Sequence, residues 1–296
     1  MSTPVTAALV KELRERTGAG MSDCKKALEA TAGDIDAAAE KLRMDGAAKA
    51  DKKAGRTAAE GVIAIAANAE AVALVEVNSE TDFVAKGADF RALANAAAQA
   101  ALKHRPASLE ALVALKDGGQ TLDEKRREMV AKIGENITIR RFEVVQAAGG
   151  ALATYVHPGD KIAVAVAFES GETELARDVA MHIAAMSPRH LDAAAVPADV
   201  VESERKIIEA QTAEQSAGKP AEIVAKMVDG KLRKFLAEIT LLGQPFVKDQ
   251  DQTVEKLLKS KNAAVKQFVR MAVGEGIEKK KTDFAAEVLA QAGIKQ

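Results

Sequence analysis

The chain has 296 residues, room for one large or two to three small domains, and its 42 basic residues nearly cancel its 43 acidic ones. That balance lacks the overall basic character of a typical nucleic-acid binder, and the single cysteine, Cys24, excludes an internal disulfide framework or a multi-cysteine metal site and fits a reducing compartment. No stretch has the apolar length of a membrane span, and the opening MSTPVTAALVKELRERTG lacks the apolar run of a signal peptide, so a soluble cytoplasmic protein is expected.

Along the chain, Val5, Leu9 and Leu13 recur at helical spacing until Thr17-Gly18-Ala19-Gly20 breaks the helix. Ser22 is expected to cap a second helix over residues 23–31. Asp34 should cap a third over residues 35–44, stopped by Gly46. Three helices within residues 3–45 make a small bundle of the docking kind, with a thin core. Residues 47–56 (AAKADKKAGR) carry no large apolar side chain and read as a linker. From Gly61 the period changes. Apolar runs at 62–65 and 72–77 flank Asn68-Ala69-Glu70, a β-hairpin pattern. The second run leads into NSETDFVAKGADF at 78–90 and then an alanine-rich helix over 91–104. Thr81 or Asp82 caps the helix start, and the ring of Phe83 either folds into the core or projects outward.

Pro106 ends that helix and Asp117-Gly118-Gly119 marks a loop. A further helix spans 121–133, closed by Gly134. Ile137, Ile139, Phe142, Val144 and Val145 form a strand that contains Arg140 and Arg141. Residues 152–156 and 161–168 read as strands turned by His157-Pro158-Gly159-Asp160, followed by a helix over 172–186. This order repeats that of residues 61–104 and suggests an internal duplication. Two apolar stripes follow, one of Val200, Val201, Ile207 and Ile208, the other of Val224, Val228, Leu232, Phe235 and Ile239. They describe a helical hairpin over 200–242 with its tip at 216–220. A helix over 253–260, a strand over 265–273, the basic run Lys279-Lys280-Lys281 and a helix over 282–291 complete the chain. The last helix opens with a second TDF, Thr282-Asp283-Phe284.

Motifs for bond chemistry are missing. There is no P-loop and no GxGxxG after a strand. His182 and His190 stand eight apart, a poor spacing for joint ligation, and Cys24 has no histidine within ten residues. Cys24 reads as a small buried apolar residue. No metal and no cofactor are expected. An enzyme using Asp82 and His157, or an RNA binder using the basic residues at 49–56 and 279–281, remain the alternatives to an interaction protein.

Four segments then stand together: LVKELRERTGAGMSDCKKAL at 9–28, EVNSETDFVA at 76–85, KIGENITIRR at 132–141 and GQPFV at 243–247. In this order and spacing they resemble the translation elongation factor Ts family, in its bacterial form, over essentially the whole chain. The resemblance implies a guanine nucleotide exchange factor, not an enzyme. It would bind elongation factor Tu, promote GDP release by disturbing the magnesium and phosphate site, and be displaced by GTP. The implied fold is α+β, with a UBA-like three-helix module at 1–46, a linker at 47–56 and a two-part α/β core with antiparallel sheets. The core halves are 57–145 and 146–190 with 243–274; a coiled-coil helical hairpin is inserted at 191–242, and a C-terminal helical module spans 275–296.

The resemblance also implies roles. Thr81, Asp82, Phe83 and Val84 would reach the GTPase domain near its magnesium, with Phe83 as a wedge. Ile133 and Gly134 would join that interface, His157 and Val247 would add contacts, and Arg14, Met21 and Lys25 would meet a helix of the GTPase domain. Ser22 and Lys248 depart from the methionines often found there in the family. Elongation factor Tu is the implied partner, with no direct nucleic acid and no membrane; a homodimer or a 2:2 complex is left open.

Overall fold

Thr6 starts the first helix, α1 (Ala7–Thr17), by accepting the Leu9 amide at 3.2 Å, and left-handed Gly18 ends it. The structure is a computed structural model that describes residues 4–215 and 220–278. The second helix, α2 (Met21–Ala30), starts earlier than expected, with Gly20 and not Ser22 at its N-cap. The backbone is already extended at Gly20, so Ser22 lies inside the first turn. Asp34 starts α3 (Ile35–Lys53) by accepting the Asp36 and Ala37 amides at 3.0 Å. These three helices enclose Val10, Leu13, Cys24, Ala27, Leu28 and Ala38. The thiol of Cys24 is buried and lies 3.7 Å from the Ala19 carbonyl oxygen.

The expected linker is corrected here: residues 47–53 are the second half of α3, which runs straight through Gly46. The physical reason lies in a later helix, α7 below. A Cβ built on Gly46 would stand 3.2 Å from the Ala131 side chain, and Ala50, one turn on, is also buried. The missing large side chains therefore mark a close helix–helix contact.

The hairpin of β1 (Glu60–Ala67) and β2 (Ala71–Ser79) turns at Asn68, whose Oδ1 accepts the Glu70 and Ala71 amides at 2.8 Å. Gly61 has φ +147, and a Cβ there would stand 2.1 Å from the Val77 carbonyl oxygen, so only glycine lets these strands close. Next come α4 (Asp82–Ala85), α5 (Ala88–His104) and α6 (Leu109–Val113), the last not anticipated from sequence. The Asp117-Gly118-Gly119 loop is the turn between β3 (Lys116–Asp117) and β4 (Gln120–Thr121). α7 (Leu122–Ile133) opens with a Thr121–Glu124 capping box and closes at left-handed Gly134. β5 (Ile137–Gln146) completes a sheet of order β1-β2-β5.

β6 (Leu152–Val156) and β7 (Ile162–Ser170) pair antiparallel, from Leu152 opposite Ala167 to Val156 opposite Ala163. α8 (Thr173–Met186), α9 (Ala198–Gln215) and α10 (Ala221–Ile239) follow, the last two packed on Ile208, Val228 and Leu232. Around GQPFV a short antiparallel pair forms, β8 (Pro245–Phe246) and β9 (Asp249–Thr253), which sequence patterning did not show. α11 (Val254–Ser260) and β10 (Ala264–Ala272) are the last helix and strand among the described residues, and β10 joins a second sheet of order β10-β7-β6. Val164, Val166 and Phe168 of β7 meet Val179, Ala180 and Ile183 of α8 in one core with Leu241, Phe246 and Leu258.

The chain divides into two compact units. One holds residues up to Ala64, then Val75–Phe142 and the stretch from Ala272; the other holds Ile65–Leu74 and Glu143–Met271. The observed class is α+β. The final helix, the second TDF and the basic run expected beyond residue 278 lie outside the described residues, as does most of the hairpin tip. Among the described residues no helix is long and apolar enough to cross a membrane. No group of His, Cys, Asp and Glu among them is arranged to hold a metal ion.

Candidate functional site

At the end of β2 the chain leaves the core through buried Asn78 and Ser79. Ser79 donates its hydroxyl to the Thr81 carbonyl at 2.8 Å. Thr81 is extended and its Oγ1 accepts the Val84 amide at 3.4 Å, so Thr81 and not Asp82 is the N-cap of α4. Asp82 falls in the first turn, where the helix dipole favours its charge. α4 has only four residues before Gly87 turns the chain into α5. Phe83 on this single turn is 81% exposed, the most exposed large apolar side chain among the described residues. Lys86 Nζ lies 2.6 Å from Asp82 Oδ2 and 5.9 Å from the centre of the Phe83 ring, within cation–π range.

A second loop meets this one. The Glu135 carboxylate accepts the Thr81 hydroxyl at 2.7 Å and the Thr81 amide at 3.0 Å. In return, Glu80 accepts the Asn136 amide at 2.6 Å. The end of α3 closes the junction. Asn136 Nδ2 donates to the carbonyls of Ala54 at 3.3 Å and Arg56 at 2.7 Å, and Lys53 donates to the Gly134 carbonyl. The Arg56 guanidinium lies 3.6 Å from the Glu80 carboxylate. Gly134 has φ +88, a conformation that strains any side-chain-bearing residue, and its amide donates to Val130 O at 2.9 Å.

The structure therefore gathers Thr81, Asp82, Phe83, Val84, Ile133 and Gly134 about one junction, with Ile133 37% exposed beside it. Arg14, Met21 and Lys25 lie exposed on α1 and α2 and take no part in the junction's hydrogen bonds; Lys25 pairs with Glu29 at 3.7 Å. His157 and Val247 belong to the other unit. His157 is an exposed turn residue, its amide donating to Ile162 O at 2.9 Å and its Nδ1 lying 3.3 Å from Tyr155 Oη. Val247 is half-buried on its unit's core and donates its amide to His182 Nδ1 at 3.1 Å. An amide can only donate, so Nδ1 accepts, and Nε2 carries the proton toward Gln244 Oε1 at 3.0 Å. Burial lowers the pKa of His182, against the opposing hydrogen bond to Gln244.

Sequence reasoning missed the carboxylates that build these arrangements. Glu80 and Glu135 sit inside the quoted motifs, and acids beside a helix cap and a helix end are the available signal. Glu76 is the single charge within the apolar run of β2 and is fully buried. It accepts the Gly274 amide at 2.7 Å, Arg140 Nη1 at 3.1 Å, Arg141 Nε at 2.5 Å and Asn78 Nδ2 at 3.0 Å. Burial raises its pKa, but the hydrogen bonds from Gly274, Arg141 and Asn78 and the Arg141 charge together outweigh that and hold it below the usual carboxylate range. Two adjacent arginines in an apolar strand are the partner signal. They also reach the Ala272 carbonyl at 3.1 Å and the Glu275 carbonyl at 2.6 Å, tying that segment to β2 and β5.

Comparison with known proteins covers both loops of the junction. The family model for elongation factor TS matches residues 80–275. The chain is 56% identical to elongation factor Ts of Thioalkalivibrio sulfidiphilus, over 97% of its own length and 98% of that protein's. It is likewise 56% identical to that of Methylococcus capsulatus and 57% identical to that of Hydrogenovibrio crunogenus, with the same coverage. Similarity of this depth, spread over nearly the full length of both chains, means that the chain belongs to the elongation factor Ts family.

Proposed function

We propose that this chain is a guanine nucleotide exchange factor that binds elongation factor Tu, promotes release of GDP and is displaced by GTP, in support of translation elongation in the cytoplasm. One observation carries the reading: an aromatic ring, Phe83, stands 81% exposed beside a carboxylate on a turn held by reciprocal hydrogen bonds with the Glu135-Asn136 segment. An isolated exposed ring on a tethered turn is suited to enter a partner, and burying it there contributes roughly 1.5–3 kcal/mol. Asp82, next to it, acts on the partner's magnesium and phosphate site by exchanging its Lys86 contact for that environment. Ile133, Gly134 and Val84 extend the contact. Arg14, Met21 and Lys25 dock on the GTPase domain, and His157 and Val247 add contacts from the other unit.

The mechanism is linkage. The factor and the nucleotide–magnesium pair favour different arrangements of the GTPase, so each weakens the other's binding by the same factor. No bond is made or broken by this chain. The finer domain plan belongs to the same reading: a UBA-like first module, a coiled-coil hairpin at 191–242 and a C-terminal module from 275. The test is release of fluorescently labelled GDP from elongation factor Tu. The chain should accelerate release, and Asp82→Ala with Phe83→Ala should remove most of the acceleration. No acceleration by the unmodified chain would overturn the reading.

A further inference from the structure

We propose that Glu135 and Glu80 are positioning residues for exchange, which fix the direction of the Phe83 ring by holding its turn through reciprocal capture of backbone amides. The inference rests on the exchange reading above and goes beyond it, because neither glutamate is asked to touch the partner.

A four-residue helix cannot hold itself, since one turn of backbone bonds does not offset the entropy of ordering it. Phe83 gains little anchoring from a core, being 81% exposed. The turn's orientation must come from its cap, and the cap is gripped from outside. Glu135 takes both donors of Thr81, hydroxyl and amide, and leaves Oγ1 free to accept the Val84 amide that starts α4. Charge-assisted bonds of this kind are short and directional, and two of them on one residue fix rotation as well as position. Glu80 completes the grip from the opposite side by taking the Asn136 amide, next to Glu135. The Glu80 side chain is 23% exposed and also faces Arg56, so its charge is spent within the junction. The result is a crossed pair: each loop supplies a carboxylate to the other's backbone. Ile133 and Gly134 are carried by the same grip, so the ring and the rest of the surface keep one register.

The test is a double-mutant cycle read by labelled-GDP release from elongation factor Tu across a range of factor concentrations, with thermal midpoints measured alongside. Glu135→Ala should lower the maximal release rate about tenfold, because a turn no longer held at Thr81 lets the ring leave its productive direction. In a Phe83→Ala background the same substitution should change release less than about twofold, while its effect on the thermal midpoint is equal in both backgrounds. Glu135→Gln keeps one acceptor for the Thr81 amide and should fall between. Glu80→Gln should stay near the unmodified rate, because one oxygen suffices for the Asn136 amide, whereas Glu80→Ala should lose about as much as Glu135→Ala. If Glu135→Ala fails to fold, Glu135→Gln and Thr81→Val carry the same cycle. An equal fold loss with and without the Phe83 ring, or full activity of Glu135→Ala while Phe83→Ala is impaired, would overturn the proposal. Full activity of Phe83→Ala would likewise overturn it, because the ring's direction would then not matter, whereas no acceleration by the unmodified chain would sink the exchange reading itself, so the two failures are separable.

Discussion

Phe83 and Gly134 stand in opposite relation to the stability of this chain. An aromatic ring left 81% exposed contributes little to this chain's own stability. Phe83→Ala should therefore change unfolding free energy by less than about 0.5 kcal/mol in a denaturant titration, while slowing GDP release from elongation factor Tu. A loss of several kcal/mol would show that the ring serves the core. Gly134 works the other way. At φ +88 a side chain costs on the order of 1–2 kcal/mol, and the strained cap would shift Glu135, the next residue. Gly134→Ala should lower stability by about that amount and slow exchange as well.

Among the elements, α3 and the α9–α10 pair answer different needs. α3 is continuous past Gly46 because the small face of Gly46 and Ala50 lets it lie close to α7. Gly46→Leu would force the two helices apart and should destabilise the chain by roughly 1–3 kcal/mol in thermal or urea unfolding. If the variant were as stable as the parent, the contact would not matter. α9 and α10 are sealed by their own small cluster of Ile208, Val228 and Leu232, separate from the core between β7 and α8. Replacing residues 205–230 by a short turn should leave the rest of that unit folded and most exchange activity in place. Exchange lost as fully as in the Asp82→Ala, Phe83→Ala variant, with the protein still folded, would reverse the ranking of hairpin and turn.

At the scale of the molecule, two buried titratable groups contribute to the acid limb of stability. The folded pKa of His182 is lowered, chiefly by burial, so the unfolded chain takes up the proton first. Its contribution is complete above about pH 6.5 and falls as pH drops from there toward the lower folded value. Protonation also removes the Nδ1 acceptor that holds the Val247 amide. Glu76 is likewise lowered in the fold, by the net of its hydrogen bonds and the Arg141 charge over burial, so its contribution is complete above about pH 4.3 and is lost on falling through the folded value. Urea midpoints should decline in two stages as pH is lowered, and His182→Gln should flatten the first stage only.

The amino-acid sequence alone determined the family, the α+β class, the order of most helices and strands, and the position of the TDF turn, while the structure decided that Thr81 is its cap and that the Phe83 ring projects outward. Those sequence-determined features are written in local signals: Gly134 at the end of a helix, Asp34 as a cap, Asn68 at a hairpin, and the TDF turn between a strand and a helix. Tertiary structure decided the rest. A stretch without large side chains reads alike as linker or as tight helix contact, and only the presence of Ala131 opposite Gly46 distinguishes them. The two-residue strand β8 has no period to detect. Glu135 and Thr81 are far apart in the chain, and Glu76 meets Gly274 across a still greater separation, so no local pattern announces either bond. Long-range hydrogen bonds depend on where the folded chain brings a carboxylate, and that position is fixed by packing rather than by the residues on either side of it.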